Sequence, residues 1–344
     1  METMRAVQLI EVGRPLELRD VPLPAVGPDD VLVRVRAAGV CHSDVHYADG
    51  LASTGPLPQT LGHEVSGEVK AVGSAVRTPV VGAKVALHYL TTCGRCEYCR
   101  SASEQFCEEG LMIGKDRDGG YAEYIAIPAA SVVPLPDGVP FEQGAVAMCS
   151  SATVFHALRK SRLQPSESVA VFGAGGLGMS AIQLALAFGA LAVYAVDINA
   201  ERLRVAESLG AIPIDASSSD PVAEIRDRTG CGVDVSLELI GLADVMQQAV
   251  RALGPLGRAV LVGLADRPLE IDTYNELLGK EAEVIGCSDH LCSELPDLLD
   301  FVQQGRLDLS VVVTQTIPLE SDAVNAALDN LRQFGAGVRT VIVP

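Results

Sequence analysis

The metal-binding residue types of this chain fall into a close group and a dispersed group. Four thiols are spaced as C-x2-C-x2-C-x7-C, at Cys93, Cys96, Cys99 and Cys107. Cys41, His63 and Cys149 lie apart from that run and from each other. Four protein ligands close a tetrahedral structural zinc site, whereas three ligands leave one position open for chemistry. The two patterns therefore predict two zinc ions per chain, one structural and one catalytic.

The close group is interpreted as a loop that a metal holds shut. Gly94 allows the tight turn that lets successive thiolates point at one centre. Buried free thiols and a redox CxxC pair are the alternatives, but overlapping CxxC spacings plus a fourth cysteine favour a metal. A zinc module that binds nucleic acid would need basic neighbours, whereas the neighbours include Glu97, Glu104, Glu108 and Glu109.

The dispersed group predicts Lewis-acid chemistry on an alcohol. Zinc lowers the pKa of bound water from near 16 to roughly 7, and the same effect should acidify an alcohol so that its carbon loses hydride readily. Ser43 is able to accept and pass on the released proton, and His46 titrates in the range needed to deliver it to water. Asp44 and Glu64 adjoin predicted ligands and are predicted to orient them, which makes Glu64 a candidate catalytic residue.

A glycine-rich segment predicts the hydride acceptor. The strand-like run 168–172 leads into Gly173-Ala174-Gly175-Gly176-Leu177-Gly178, and a helical pattern follows over 179–188. In a strand, G-x-G-x-x-G, helix unit, the glycines admit a pyrophosphate to the backbone and the helix N-terminus binds it. The predicted cofactor contacts are Gly173, Gly175, Gly176, Leu177 and Gly178. The next predicted strand ends at Asp197, whose carboxylate would bind ribose hydroxyls and repel a 2′-phosphate, so NAD is predicted over NADP.

The elements that carry these residues predict two domains. Before residue 150, short strand-like runs are broken by Gly and Pro, which predicts a β-rich domain. After it, strands and helices alternate, which predicts a parallel sheet. The tail has helical patterns near 295–304 and 322–331 and a strand at 339–343, and it is predicted to rejoin the first domain. The predicted boundaries are 1–150, 151–287 and 288–344.

Composition limits the classes of partner. The net charge of −18 argues against nucleic acid, and no apolar run is long enough for a transmembrane helix. The first residues lack the apolar region of a secretory signal, and nine cysteines are best interpreted as ligands and thiols in a reducing compartment. A cytoplasmic protein that acts on a small molecule, with neither a membrane nor a nucleic-acid partner, is predicted.

Together these motifs resemble the zinc-dependent medium-chain alcohol dehydrogenases, over essentially the whole chain. The stretch Gly62-His63-Glu64-x-x-Gly67-x5-Gly73 is similar to that family's zinc signature, and the cysteine run has the family's spacing. The resemblance implies an α/β fold, in which a β-rich GroES-like catalytic domain contains an inserted Rossmann dinucleotide-binding domain. It also implies that Cys41, His63 and Cys149 hold the catalytic zinc, and that Ser43 and His46 relay the proton through the coenzyme ribose.

The resemblance extends to further cofactor contacts and to assembly. It implies that Thr153 contacts the nicotinamide and Arg339 the pyrophosphate, with further predicted contacts from His42, Arg202 and Val262. The short chain and the stretch 118–124 look most like the microbial branch, whose members are commonly tetramers, so a homotetramer is predicted.

The predicted activity is hydride transfer between a primary or secondary alcohol and NAD, which gives an aldehyde or a ketone. The resemblance makes Cys149 the discriminating residue, because polyol dehydrogenases of this superfamily usually have a glutamate as the third ligand. Two alternatives remain open. One is a polyol or other hydroxy-compound dehydrogenase, and the other is a non-catalytic NAD-binding protein on the same scaffold.

Overall fold

A computed structural model describes residues 2–265, 267–333 and 338–344. The chain divides into two compact units. The first comprises Met1–Cys149, Leu291–Gln304 and Leu309–Pro344, and the second comprises Ser150–His290 and Gly305–Asp308. No helix among the described residues is long and apolar enough to cross a membrane.

The described strands are numbered in chain order. They are β1 (Thr3–Leu9), β2 (Glu17–Pro22), β3 (Asp30–Gly39), β4 (Gln59–Thr60), β5 (Glu64–Val72), β6 (Lys84–Leu87), β7 (Leu90–Thr91), β8 (Leu111–Met112), β9 (Tyr124–Pro128), β10 (Val132–Pro134), β11 (Ser168–Phe172), β12 (Ala192–Asp197), β13 (Ile212–Asp215), β14 (Val233–Glu238), β15 (Leu253–Leu261), β16 (Glu283–Gly286), β17 (Val313–Pro318) and β18 (Arg339–Val343).

The described α-helices are α1 (His42–Ala48), α2 (Glu97–Arg100), α3 (Phe141–Val146), α4 (Ala152–Ser161), α5 (Gly176–Ala187), α6 (Ala200–Ser208), α7 (Pro221–Thr229), α8 (Ala243–Arg251), α9 (Leu295–Gln303) and α10 (Ser321–Arg332). Short 3-10 turns occupy Glu104–Phe106, Ala129–Ser131, Leu278–Lys280 and Cys292–Glu294. Two segments form π-helical turns, Ala147–Ser151 and Thr273–Leu277.

The first unit is built around β3. One sheet has the order β10-β6-β5-β3-β18-β17, with β9 also paired to β3, and a smaller sheet has the order β2-β1-β4. Along β3, Val33 and Val35 are buried while Arg34 and Arg36 are exposed, which is the alternation expected of a strand with one face on a core. Because β18 pairs antiparallel with β3, the end of the chain returns to the sheet of the first unit.

The antiparallel pairing of β3 with β5 brings distant residues together. Gly39, at the end of β3, lies opposite Glu64, at the start of β5. The segment that follows β3 therefore approaches the segment that precedes β5. This register accounts for the proximity of Cys41 to His63.

The second unit is a parallel sheet of order β13-β12-β11-β14-β15-β16. Its core strand β11 is almost wholly buried, as expected of a parallel strand that packs on both faces. The strand order reverses between β11 and β14, and in open sheets of this type ligands bind outside the carboxyl ends at such a point. The β-rich first unit and parallel second unit agree with the predicted fold class.

Some boundaries differ from the prediction. Helix α5 begins at Gly176, three residues before the predicted start, because the last glycines of the loop already have helical backbone. Residues His42–Ala48 form the short helix α1, which carries Ser43 and His46. The predicted domain limits were 150/151 and 287/288, and the compact units change at 149/150 and 290/291, with 305–308 added to the second.

Candidate metal centres and dinucleotide site

The four closely spaced cysteines converge on one point. Their sulfur atoms all lie within 4.8 Å of one another, and Cys93 Sγ is 3.9 Å from Cys99 Sγ. Four sulfurs at 2.3 Å from a tetrahedral zinc ion would be separated by about 3.8 Å. The backbone N–H of Cys96 donates to Cys93 Sγ at 3.3 Å, and the N–H of Cys99 donates to Cys96 Sγ at 3.4 Å. These residues fit a structural zinc ion.

The backbone beside Cys93 favours its thiolate. The N–H groups of Arg95 and Cys96 lower the pKa of Cys93 to about 6. A thiolate is the form that binds metal. The turn that supplies these donors contains Gly94 with φ +67°, a conformation that favours glycine.

The dispersed ligands meet in a second, buried group. Ligand atoms of Cys41, His63, Glu64 and Cys149 lie within 4.8 Å of one another, and the two sulfurs are 3.9 Å apart. His63 is 1% exposed, and its Nε2 has no hydrogen-bond partner among the described residues. A buried polar atom without a partner is costly. Two sulfurs and an unpartnered imidazole nitrogen that converge in this way fit a zinc ion.

Three elements position these ligands. Cys41 is the N-cap of α1 and lies two residues after the end of β3, and His63 directly precedes β5. Cys149 lies on the π-helical turn Ala147–Ser151, a rare conformation that often occurs at functional sites. The hydrogen bond between the two thiols lowers the pKa of Cys41 well below its ordinary value and raises the pKa of Cys149.

Asp44 links two of the ligands. Its Oδ2 accepts a hydrogen bond from the backbone N–H of Cys41 at 2.9 Å, and its Oδ1 lies 3.5 Å from His63 Nδ1. The fully buried Tyr121 donates its hydroxyl to the same Oδ2 at 2.8 Å. Sequence reasoning identified Asp44 as an orienting residue but missed Tyr121, which lies 77 positions away in the sequence.

Glu64 and Arg339 form a buried pair beside the ligands. Arg339 Nη1 is 3.1 Å from Glu64 Oε1 and donates to the carbonyl of Val40 at 3.1 Å. Burial raises the pKa of Glu64 to about 7, although the Arg339 charge opposes that rise. The family resemblance assigned Arg339 to a pyrophosphate contact, which stays a prediction, and the structure adds an ion pair with Glu64. Glu64 also adds a fourth potential metal ligand to a site that was predicted to have three.

The proposed proton carriers lie on α1. Ser43 Oγ is 3.8 Å from Cys41 Sγ. His42 and His46 are one turn apart, with ring centroids 5.1 Å from each other in an edge-to-face arrangement. Within the described residues, no hydrogen bond joins Ser43 directly to His46. Burial and the neighbouring His46 lower the pKa of His42.

The glycine-rich loop joins β11 to α5. Gly173 has φ +100°, and a Cβ at Gly178 would clash with the Gly173 carbonyl, so both positions require glycine. Gly175 caps α5, and a Cβ there would meet nothing within 4 Å, which leaves room for a ligand against the backbone. Gly176 and Leu177 open the helix.

Asp197 ends β12 next to this loop. It is buried, and its Oδ2 accepts a hydrogen bond from the N–H of Ala174 at 2.8 Å while Oδ1 accepts one from Asn199 at 2.8 Å. The carboxylate thus also holds the glycine-rich loop, a role the sequence did not reveal. Arg202 lies in the first turn of α6, where its N–H donates to Asn199 Oδ1 at 3.2 Å.

The last two predicted cofactor contacts also belong to the second unit. Thr153 lies in α4 and is 8% exposed, and its carbonyl is 4.0 Å from Cys287 Sγ. Val262 directly follows β15, and its N–H donates to the carbonyl of Glu238 at 3.0 Å.

Comparison with known proteins identifies both units. The alcohol dehydrogenase GroES-like domain matches residues 27–137, and the zinc-binding dehydrogenase domain matches residues 176–304. An NAD-dependent alcohol dehydrogenase of Sulfurisphaera tokodaii is 35% identical, over 99% of this chain and 100% of the relative. An L-threonine 3-dehydrogenase of Symbiobacterium thermophilum is also 35% identical, over 100% of this chain and 98% of the relative.

A solved structure is similar to this chain over its whole length. A zinc-binding dehydrogenase from Sinorhizobium meliloti, crystallised with NADP, has a TM-score of 0.92 at 31% identity and covers 100% of both chains. The GroES-like and Rossmann domains predicted from the sequence are therefore confirmed. The chain belongs to the zinc-dependent medium-chain alcohol dehydrogenase family.

Proposed function

We propose that this protein is an NAD-dependent alcohol dehydrogenase that transfers hydride between a primary or secondary alcohol and NAD. The observation that carries this proposal is the buried group of Cys41, His63 and Cys149, whose ligand atoms converge. A non-catalytic NAD-binding protein would have no use for such a group, because buried polar atoms without partners are costly. The S. tokodaii relative supports the proposal through the activity in its name.

In the proposed mechanism, Cys41, His63 and Cys149 would hold the catalytic zinc. When bound, zinc would supply Lewis acidity that favours loss of the alcohol proton. Asp44 orients His63 and the backbone of Cys41, so that the ligand geometry is kept during turnover. The burial of the ligand group limits its contact with water and strengthens the electrostatic interactions within it.

The proton that the alcohol loses must reach solvent. We assign its first acceptor as Ser43, because the 3.8 Å separation of Ser43 Oγ from Cys41 Sγ supports access to the ligand group. His46 lies on the same helix and is half buried, and we assign it the release of that proton to water. The buried Glu64–Arg339 ion pair is proposed to tune the charge around the ligands.

We further propose a second, structural zinc ion on Cys93, Cys96, Cys99 and Cys107. We also propose a cytoplasmic homotetramer. No disulfide joins any of the nine cysteines, all of which lie among the described residues, and this supports a reducing compartment; the resemblance to the microbial branch supports the assembly.

A second candidate substrate class is polyols and other hydroxy compounds, among them hydroxy amino acids. The L-threonine 3-dehydrogenase relative is as similar to this chain as the alcohol dehydrogenase, at 35% identity. We favour simple alcohols because the third predicted ligand, Cys149, is a thiol, whereas polyol dehydrogenases of the superfamily usually have a carboxylate there.

The deciding experiment measures NADH formation from a series of primary and secondary alcohols, and from sorbitol and L-threonine. We expect alcohols to be preferred and a zinc chelator to abolish turnover. Cys149→Ser should remove activity, whereas Cys231→Ser, which changes an exposed cysteine outside both groups, should not. Preference for sorbitol or threonine would favour the second class, and no NADH from any substrate would refute the proposal.

A further inference from the structure

Glu238 is a buried carboxylate at the ligand-binding edge of the second unit. It is the last residue of β14, where it pairs with Phe172 at the end of β11. These two strands flank the point where the strand order reverses, and ligands bind outside the carboxyl ends there. The side chain is 0% exposed. None of the cofactor contacts assigned above includes it.

The residue connects two loops at this edge. Glu238 Oε1 accepts hydrogen bonds from the backbone N–H groups of Ile240 and Gly241, each at 2.8 Å. Its main-chain carbonyl accepts from the N–H groups of Val262 at 3.0 Å and Gly263 at 3.3 Å. The turn after β14 and the turn after β15 are therefore both tied to Glu238, and the second of these turns contains the predicted cofactor contact Val262.

The packing leaves these turns little freedom to shift. A Cβ at Gly173, the first glycine of the phosphate loop, would lie 2.7 Å from Ile240 Cγ1. A Cβ at Gly263 would lie 2.8 Å from Glu238 Oε2. Displacement of the turn after β14 would therefore move Ile240 relative to Gly173, and so reshape the floor of the dinucleotide site.

Local stability alone does not explain why the Glu238 carboxylate is buried. Among the described residues, its Oε2 has no hydrogen-bond partner. Burial raises the pKa of Glu238, although four backbone N–H groups oppose that rise. A buried polar atom left without a partner in a native structure calls for an explanation other than packing.

We propose that Glu238 is a positioning residue for the dinucleotide. Its carboxylate holds Ile240 and Gly241 in the conformation that admits the cofactor, and it acts through those residues without touching the ligand. This inference rests on the proposed function, since it requires that the second unit binds NAD.

The test compares two carboxylates on the same strand. Asp234, at the opposite end of β14, accepts hydrogen bonds from the N–H and Oγ of Ser168, each at 2.8 Å. Glu238→Ala and Asp234→Ala thus each remove an acceptor of two hydrogen bonds. For each variant of the full-length protein, NADH dissociation constants are measured by fluorescence titration and Tm by circular dichroism.

We expect Glu238→Ala to raise the NADH dissociation constant at least about tenfold and Asp234→Ala less than about twofold, although both lower Tm. Glu238→Gln keeps a carbonyl oxygen for the two amides, so its dissociation constant should rise only about two- to fivefold. Amide hydrogen exchange at Ile240 and Gly241 should accelerate in the alanine variant and not in Asp234→Ala.

Similar effects of the two alanine variants on NADH binding would overturn the inference, as would wild-type affinity in Glu238→Ala. If Glu238→Ala fails to fold, Glu238→Gln and Asp234→Asn are compared instead, and equal dissociation constants for these two overturn it. If wild type itself does not bind NADH, the proposed function fails first. If wild type binds and Glu238→Ala is unaffected, only the present inference fails.

Discussion

Tyr121→Phe tests whether the hydroxyl behind Asp44 stabilises the ligand group. Burial, together with the nearby Asp44 charge, raises the pKa of Tyr121, so the phenol keeps its proton and donates to Asp44 Oδ2 at 2.8 Å. A hydrogen bond to a charged group contributes about 1.5–3 kcal/mol. Phenylalanine keeps the ring, so the loss isolates the hydroxyl. We expect the metal-free protein to lose about 1.5–3 kcal/mol of unfolding free energy.

Tyr121→Phe should also weaken zinc binding by the ligand group. With one donor gone, Asp44 Oδ2 retains only the N–H of Cys41 among its described partners, so the carboxylate is less restrained beside His63. Removal of a group that orients a metal ligand costs about 10- to 100-fold in metal affinity, and Tyr121 acts one residue further away, so we expect up to about tenfold. Competition with a chromogenic chelator measures this affinity, and urea unfolding followed by circular dichroism measures stability.

Tyr124→Phe is the matched control. Tyr124 lies three residues along the chain and is only partly buried, and no hydrogen bond from its hydroxyl is found in the described part of the chain. Loss of the Tyr124 hydroxyl should change neither the free energy of unfolding nor the free energy of zinc binding by more than about 0.5 kcal/mol. If Tyr121→Phe unfolds like wild type and releases zinc at the same chelator concentration, the contacts that run from Tyr121 through Asp44 to the ligands stabilise neither the fold nor zinc binding.

Three other outcomes are expected. Metal analysis should find about two zinc ions per chain and Cys107→Ser about one, and a single ion in wild type would contradict the pair of sites. Asp197→Gly should weaken NAD binding and lower the preference of the protein for NAD over NADP. It should not improve NADP binding, because Asp197 also holds the N–H of Ala174. An unchanged ratio of the two dissociation constants would place the discriminating residue elsewhere. The hydrogen bond from Arg332 lowers the pKa of Asp49, so the pair stabilises the fold above the ordinary pKa of 3.8 and loses its effect as pH falls below it. Arg332→Met should therefore cost less than about 1 kcal/mol at pH 7 and nothing in acid urea titrations, and an equal cost at both pH values would refute the assignment.

Local features were predictable because they depend on residues close in the chain. The four cysteines Cys93–Cys107 lie on one short loop, so their spacing alone restricts where the sulfurs point. The glycine-rich loop and Asp197 belong to consecutive strands, and the βαβ connection brings them together. Strand β18 was likewise predicted with its observed ends, Arg339–Val343, from its apolar run.

Other features depended on which strands pair. Glu64 enters the ligand group because the register of β3 against β5 aligns it with Gly39. Arg339 reaches Glu64 because β18 pairs with β3, so its guanidinium meets a buried carboxylate, a contact that the sequence did not predict. The roles of Tyr121 and Glu238 are revealed only by their buried contacts.

The sequence by itself determined the family and predicted the dinucleotide loop and the candidate metal-binding side chains, because the chemistry of zinc and pyrophosphate demands particular residue types at particular spacings. Only the tertiary structure decided which groups surround those side chains. The hydroxyl of Tyr121 reaches Asp44 across 77 positions of sequence, and the carboxylate of Glu238 holds the turn after β14. A hydrogen bond or ion pair is set by distance in space, and the spacing of residues along the chain does not encode that distance.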